Sequence, residues 1–177
     1  MFETKRLILR GWRPSDMDDL VLMLSDYDVL APIQPSWIVP GVPEARKIIE
    51  YWISRTLFVI VEDKESGGLV GMAMLKIDIP KDADGEVGIC LGKKWWGRGL
   101  GTEVMEWIVG YGFKGMALRR VSLCVFGFNE RAIELYKRIG FAVEGVKREA
   151  LWFEGKAMDT IWMGILKREY EEKSGVS

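Results

Sequence analysis

Residues Glu86 to Glu103 read EVGICLGKKWWGRGLGTE. A short apolar strand, Val87 to Leu91, runs into a turn that places Gly97, Gly99 and Gly101 two residues apart, and an amphipathic helix follows at once. Glycine allows positive φ and close approach of a ligand to the main chain, and the first turn of a helix leaves its N–H groups without intrahelical partners. Those donors and the positive end of the helix dipole favour an anion, most often a phosphate.

The spacing separates the phosphate-binding patterns. A dinucleotide fingerprint needs G-x-G-x-x-G, but counting from Gly97 or Gly99 puts Thr102 or Val104 at its last position. A Walker loop needs G-x-x-x-x-G-K-[ST]; the span from Gly92 to Gly97 is right, but Arg98 and Gly99 stand where lysine and the magnesium-binding hydroxyl belong. A phosphotransferase of that type lacks its central residues here.

Working outward, strand-like runs surround this core. Arg6 to Trp12 alternates apolar and polar residues, and Pro14 followed by Ser15 as N-cap opens a helix through about Ser25. Asp16, Asp18 and Asp19 crowd its start, with Asp26 and Asp28 beyond it. They read either as complements of the helix dipole or as an acidic rim gathering a cationic amine. Ala31 to Pro43 is a proline-rich loop carrying Trp37 and Ile38, and Pro43 at N1 opens a second helix with an apolar stripe of Ala45, Ile48, Ile49 and Trp52, ending near Arg55.

Leu57 to Val61 and Leu69 to Ile77 form a hairpin around the turn residues DKESGG, and a loop PKDADG leads to the strand at Glu86. Past the glycine turn, Leu100, Val104, Trp107, Ile108 and Tyr111 recur at three and four residues, the face of a core-packing helix. Val121 to Phe126 is the next strand, and strand, crossover helix and strand make two parallel neighbours. Asn129 caps a helix ERAIELYKRI that stops at Gly140. Phe141 to Ala150 and Ala157 to Leu166 close the chain as a hairpin, with a charged, fraying helical tail from Lys167.

The chain of 177 residues fits one domain with a substantial core. Lys+Arg 25 against Asp+Glu 26, a net charge of -1, supplies no long-range attraction to nucleic acid or an anionic membrane. No run of apolar residues is long enough to span a bilayer and the N-terminus lacks the apolar core of a signal peptide, so the reading is a cytoplasmic protein. The absence of histidine removes His-dependent nucleophilic triads, HExxH zinc sites and the commonest metal ligand, and no metal is expected. Cys90 and Cys124 lie in apolar strand-like runs and read as reduced core residues.

Two motifs together resemble the GNAT superfamily of N-acetyltransferases. The pattern [Gln/Arg]-x-x-G-x-[G/A] falls on Trp96 to Gly101, with Trp96 in place of Gln or Arg, as in the ribosomal-protein N-terminal acetyltransferase (RimJ/RimL-like) branch; FNERAIELYKRIGF, Phe128 to Phe141, resembles the second signature N-x-x-A-x-x-x-Y-x-[KR]-x-G-F. The resemblance covers nearly the whole chain. It implies an α/β fold with a single mixed, mostly antiparallel sheet of about seven strands and about four helices, its fourth and fifth strands (Glu86 to Leu91 and Val121 to Phe126) splayed apart. Within one domain, acceptor-side elements would occupy about residues 1–56, the acetyl-CoA core about 86–145, and the closing hairpin about 141–166.

The same resemblance implies acetyl-CoA as the acetyl donor and an amine acceptor, either a protein N-terminus or a small molecule. Backbone at Ile89, Cys90 and Leu91 would meet pantetheine and the thioester oxygen. Trp96, Gly97, Arg98, Gly99, Leu100, Gly101 and Thr102 would form the pyrophosphate loop. Asn129, Ala132 and Tyr136 would line the pantetheine arm, with Arg138 at the 3′-phosphate. Tyr136 would protonate the leaving thiolate, the alternative being a core aromatic. Glu86 would remove the amine proton, directly or through water, the alternative being a structural charge pair. A non-catalytic acetyl-CoA sensor on the same fold stays open, and exposed strand edges are compatible with a homodimer.

Overall fold

The computed structural model describes residues 1–33 and 41–175. Trp37 and Ile38 of the proline-rich loop lie outside the described residues. Eight strands form a mixed sheet in the order β1-β2-β3-β4-β5-β6-β8-β7. The pairs β1/β2, β2/β3, β3/β4, β6/β8 and β7/β8 are antiparallel and β5/β6 is parallel, as the crossover predicts. The strand beyond the expected seven is β1 (Phe2–Glu3), a two-residue piece registered on Ile8 and Leu9. Among the described residues there are six α-helices against the expected four or so: the additions are α2 (Tyr27–Leu30), one turn long, and α6 (Lys167–Ser174). None of the described helices is long and apolar enough to cross a membrane.

The chain divides into two compact units, Met1–Lys76 with Gly88–Ile108, and Ile77–Val87 with Val109–Ser177. The first holds β2 (Leu7–Arg10), β3 (Leu57–Asp63) and β4 (Leu69–Lys76), with α1 (Met17–Leu24) and α3 (Val42–Ile53). Ala45, Ile49 and Trp52 bring the inner face of α3 against Leu20 and Leu24 of α1 and Ile60 and Met72 of the sheet. Each large side chain so buried contributes about 1.5–3 kcal/mol of transfer free energy. Ser15 does not cap α1. It lies in a 3-10 turn, Pro14–Asp16, where Asp16 accepts the Arg13 N–H at 2.8 Å and pairs with the Arg10 guanidinium at 2.8 Å, so the helix begins at Met17. Similarly, Gly41 is the N-cap of α3, and Pro43 follows Val42 in its first turn.

The second unit carries β6 (Arg120–Phe126), α5 (Glu130–Ile139), β7 (Ala142–Phe153), β8 (Lys156–Leu166) and α6. Leu123, Val125, Ile133, Ile139, Phe141, Met163 and Ile165 are buried in its core. The β7–β8 connection turns at Glu154 and Gly155, both with positive φ, the pattern that matches strand twist in a two-residue hairpin. The expected fraying after Lys167 does not occur. Glu169 accepts the Leu166 N–H at 2.9 Å and Tyr170 packs on Phe113 with ring centroids 5.1 Å apart, so α6 is capped and docked. Cys90 is buried, but Cys124 is exposed, because it alternates with the inward residues Leu123 and Val125 on β6.

Strand β5 (Asp84–Leu91) and helix α4 (Leu100–Gly115) contribute residues to both units. β5 begins two residues before Glu86, which therefore sits inside the strand. On α4, Leu100, Val104, Met105 and Ile108 are buried, whereas Trp107 and Tyr111 are half-buried at the flank of the stripe.

Candidate functional site

In the first unit, β5 ends at Leu91 and a 3-10 turn, Lys93–Trp95, leads to the glycine loop. Gly71 on β4 allows the strand end to pass closely: a Cβ there would lie 2.1 Å from the Cys90 carbonyl oxygen. Two indoles then fasten the loop. Trp95 is buried and donates to the Leu69 carbonyl at 2.8 Å; Trp96 donates to the Leu91 carbonyl at 2.8 Å. Both bonds fix the direction in which the chain leaves the sheet.

Gly97 and Gly99 take φ of +76° and +74°. A Cβ on Gly97 would meet nothing within 4 Å, and one on Gly99 would meet only the Arg6 guanidinium, at 3.6 Å. The loop surface is thus open where a bulky anion would lie, and the left-handed conformations demand glycine. The Glu103 main-chain N–H donates back to the Gly99 carbonyl at 3.3 Å as α4 begins. By helical geometry the N–H groups of the turn before it have no partner within the helix. Gly97, Gly99, Leu100, Gly101 and Thr102 follow one another through this turn into the start of α4, and the Leu100 side chain points into the core. Arg98 stacks its guanidinium 5.2 Å from the Trp95 ring centroid.

Three residues that sequence reasoning missed support this loop. Glu103, in the first turn of α4, accepts from Thr4 Oγ1 at 2.5 Å, from the Arg6 N–H at 2.7 Å and from Arg6 Nε at 2.8 Å. Arg6 Nη1 donates to the Arg98 carbonyl at 2.7 Å. Partial burial opposes ionisation of Glu103, but the bonds from Thr4 and Arg6 outweigh it and hold the carboxyl below its usual range. No local pattern announces these partners, since they lie some 97 residues apart.

The second unit holds the other candidates. Asn129 accepts the Ala132 N–H on Oδ1 at 3.2 Å, so Ala132 spends its donor on the cap and the Asn129 amide NH₂ remains the group that can face a ligand. Tyr136, seven residues on, shares that side of α5. It is half-buried, its ring is tilted against Phe141 at 5.9 Å, and burial pushes its hydroxyl up to about 12. At neutral pH it is a proton-bearing donor. Arg138 is exposed and lies about 200° around the helix from Tyr136.

Glu86 is registered beside Ser122 in the β5/β6 ladder and is half-buried. Neighbouring charges are balanced: Arg120 bridges Asp84 at 2.9 Å and Glu144 at 2.7 Å, and Ser122 donates to Asp84 at 2.9 Å. Burial, with a smaller contribution from the Glu86 charge, raises the Cys124 thiol. Four of the five carboxylates read as an acidic rim are engaged. Asp16 pairs with Arg10, Asp18 with Arg46 at 2.7 Å, and Asp28 with Lys93, while Asp26 caps α2.

The description "Acetyltransferase (GNAT) domain" matches residues 6–142. N-acetyltransferase p20 of Bacillus licheniformis is 29% identical, over 94% of this chain and 96% of its own. YdaF of Bacillus subtilis (strain 168), named as a candidate ribosomal N-acetyltransferase, is 32% identical over 59% of this chain and 57% of its own. Among solved structures, the spermidine N-acetyltransferase of Vibrio cholerae in complex with CoA and spermine superposes with a TM-score of 0.81, covering 94% of this chain and 99% of that one at 22% identity. That likeness is one of fold.

Proposed function

The chain belongs to the GNAT family of acetyltransferases, enzymes that use acetyl-CoA, and we propose that it acetylates a protein N-terminal amine by direct attack within a ternary complex. The observation that carries the donor half is the glycine loop, open to a bulky anion, with Gly97 and Gly99 at positive φ before the first turn of α4.

Acetyl-CoA supplies an activated acetyl thioester. The loop N–H groups up to Thr102 receive its pyrophosphate, and Asn129 holds the pantetheine arm through its amide NH₂. A main-chain N–H in the Ile89–Leu91 stretch polarises the thioester oxygen, an effect worth about 3 kcal/mol in related chemistry. Glu86 takes the proton that the acceptor ammonium must lose before its nitrogen can form the C–N bond. As the C–S bond breaks, Tyr136 passes its hydroxyl hydrogen to the departing sulfur and recovers one from the nitrogen, which sheds its second proton as the amide forms. Its raised pKa keeps that hydrogen on the oxygen until the thiolate develops.

A protein N-terminus is favoured over a polyamine because Asp16, Asp18 and Asp28 are already paired with cations. A polycation would have to displace them. The test is CoA release with acetyl-CoA against N-terminal peptides, their N-acetylated counterparts, spermidine and aminoglycosides, with products identified by mass spectrometry. Release with free but not blocked peptides is expected. Release with spermidine alone would transfer the assignment to small amines, and binding of acetyl-CoA without release on any acceptor would support the sensor.

A further inference from the structure

Arg6 makes contacts that a structural arginine in a strand turn does not need. Its Nε and main-chain N–H both reach Glu103, at 2.8 and 2.7 Å, and its Nη1 reaches the carbonyl of Arg98, the residue between the two positive-φ glycines, at 2.7 Å. Its Nη2 is turned toward Gly99, 3.6 Å from where a Cβ would stand. One guanidinium therefore grips the loop and the helix start together.

Two physical consequences follow. A carboxylate in the first turn of α4 would repel an anion bound at the same helix end; Arg6 pairs with that charge. And a carbonyl oxygen at Arg98 left unheld could rotate toward the loop surface and present a negative dipole to the anion; Arg6 Nη1 holds it. The geometry points to Arg6, with Glu103 and Thr4 as its anchor, as the positioning residue of the pyrophosphate loop. This inference rests on the acetyl-CoA reading given above.

The test is calorimetry on Arg6→Ala and Arg6→Lys with two probes, acetyl-CoA and S-acetylpantetheine, which lacks the nucleotide and pyrophosphate, alongside thermal melting. Arg6→Ala is expected to weaken acetyl-CoA about tenfold or more, the scale of one lost charge-assisted hydrogen bond, and to leave S-acetylpantetheine unchanged. Arg6→Lys keeps a charge near Glu103 but cannot reach the Arg98 carbonyl at the same time; it is expected to show the same selectivity at reduced size, and it carries the test if the alanine variant does not fold. Equal weakening of both probes, or unchanged acetyl-CoA affinity in a folded variant, overturns the positioning role. If the wild-type chain binds neither probe, the acetyl-CoA reading itself fails, a separate outcome from the failure of Arg6.

Discussion

Trp96 donates its indole N–H to the Leu91 carbonyl at 2.8 Å, tying the end of β5 to the glycine loop five residues later. Trp96 stands at the position where the family pattern has Gln or Arg, and here its side chain bonds the backbone. Trp96→Phe keeps most of the apolar contact and removes the donor, leaving the Leu91 carbonyl without that partner. The expected loss is about 1 kcal/mol of stability, together with weaker acetyl-CoA binding. Thermal melting and calorimetry on the same variant measure the two.

Gly99→Val separates the loop from the fold. A β-branched residue at φ +74° adds about 1–2 kcal/mol of strain and puts methyl groups where the anion is read to lie. Acetyl-CoA binding is expected to vanish while the melting temperature falls by only about 2–8 °C. Undiminished affinity would remove the loop from the site.

Tyr136→Phe leaves acetyl-CoA binding intact and lowers kcat about a hundredfold, within the range of a lost proton donor. Its folded pKa is raised to about 12 by burial, above the tyrosine value of about 10 in the unfolded chain. Stability tied to this group is therefore fully present below about pH 10 and is lost as pH rises toward 12. The phenylalanine variant is expected to show a shallower alkaline limb in denaturant titrations; an identical limb would show that another group governs it.

The two cysteines should react unequally. Burial raises Cys90 to about 12 and shields it; the Cys124 thiol is raised as well, but it is exposed on β6 and can be reached in the native chain. A chromogenic disulfide reagent is expected to titrate one thiol quickly in the native chain and the second only on unfolding, and Cys124→Ser should abolish the fast phase.

Local, periodic features were legible in the sequence. The glycine spacing, the cap at Asn129 and the stripe on α3 each depend on residues within a few positions of one another, and the structure forms all three. The closing hairpin was legible for the same reason, and its turn falls at Glu154 and Gly155. What sequence reading missed is set by tertiary placement. The Arg6–Glu103 pair joins residues from opposite ends of the first unit and has no periodic signature. Ser15 looked like a cap until Arg10 claimed Asp16. Cys124 sits in an apolar run, yet strand alternation turns it outward. Side-chain charge balance was equally hidden: the crowded aspartates around α1 read as dipole complements or as an amine-gathering rim, and the cations that pair with Asp16, Asp18 and Asp28 come from β2, α3 and the turn after β5.

The most direct measurement is calorimetric titration of the wild-type chain with acetyl-CoA, followed by CoA. Saturable binding of both, with one site per chain, is the predicted result. No saturable heat from either would contradict the donor site, and with it the enzymatic reading of the glycine loop.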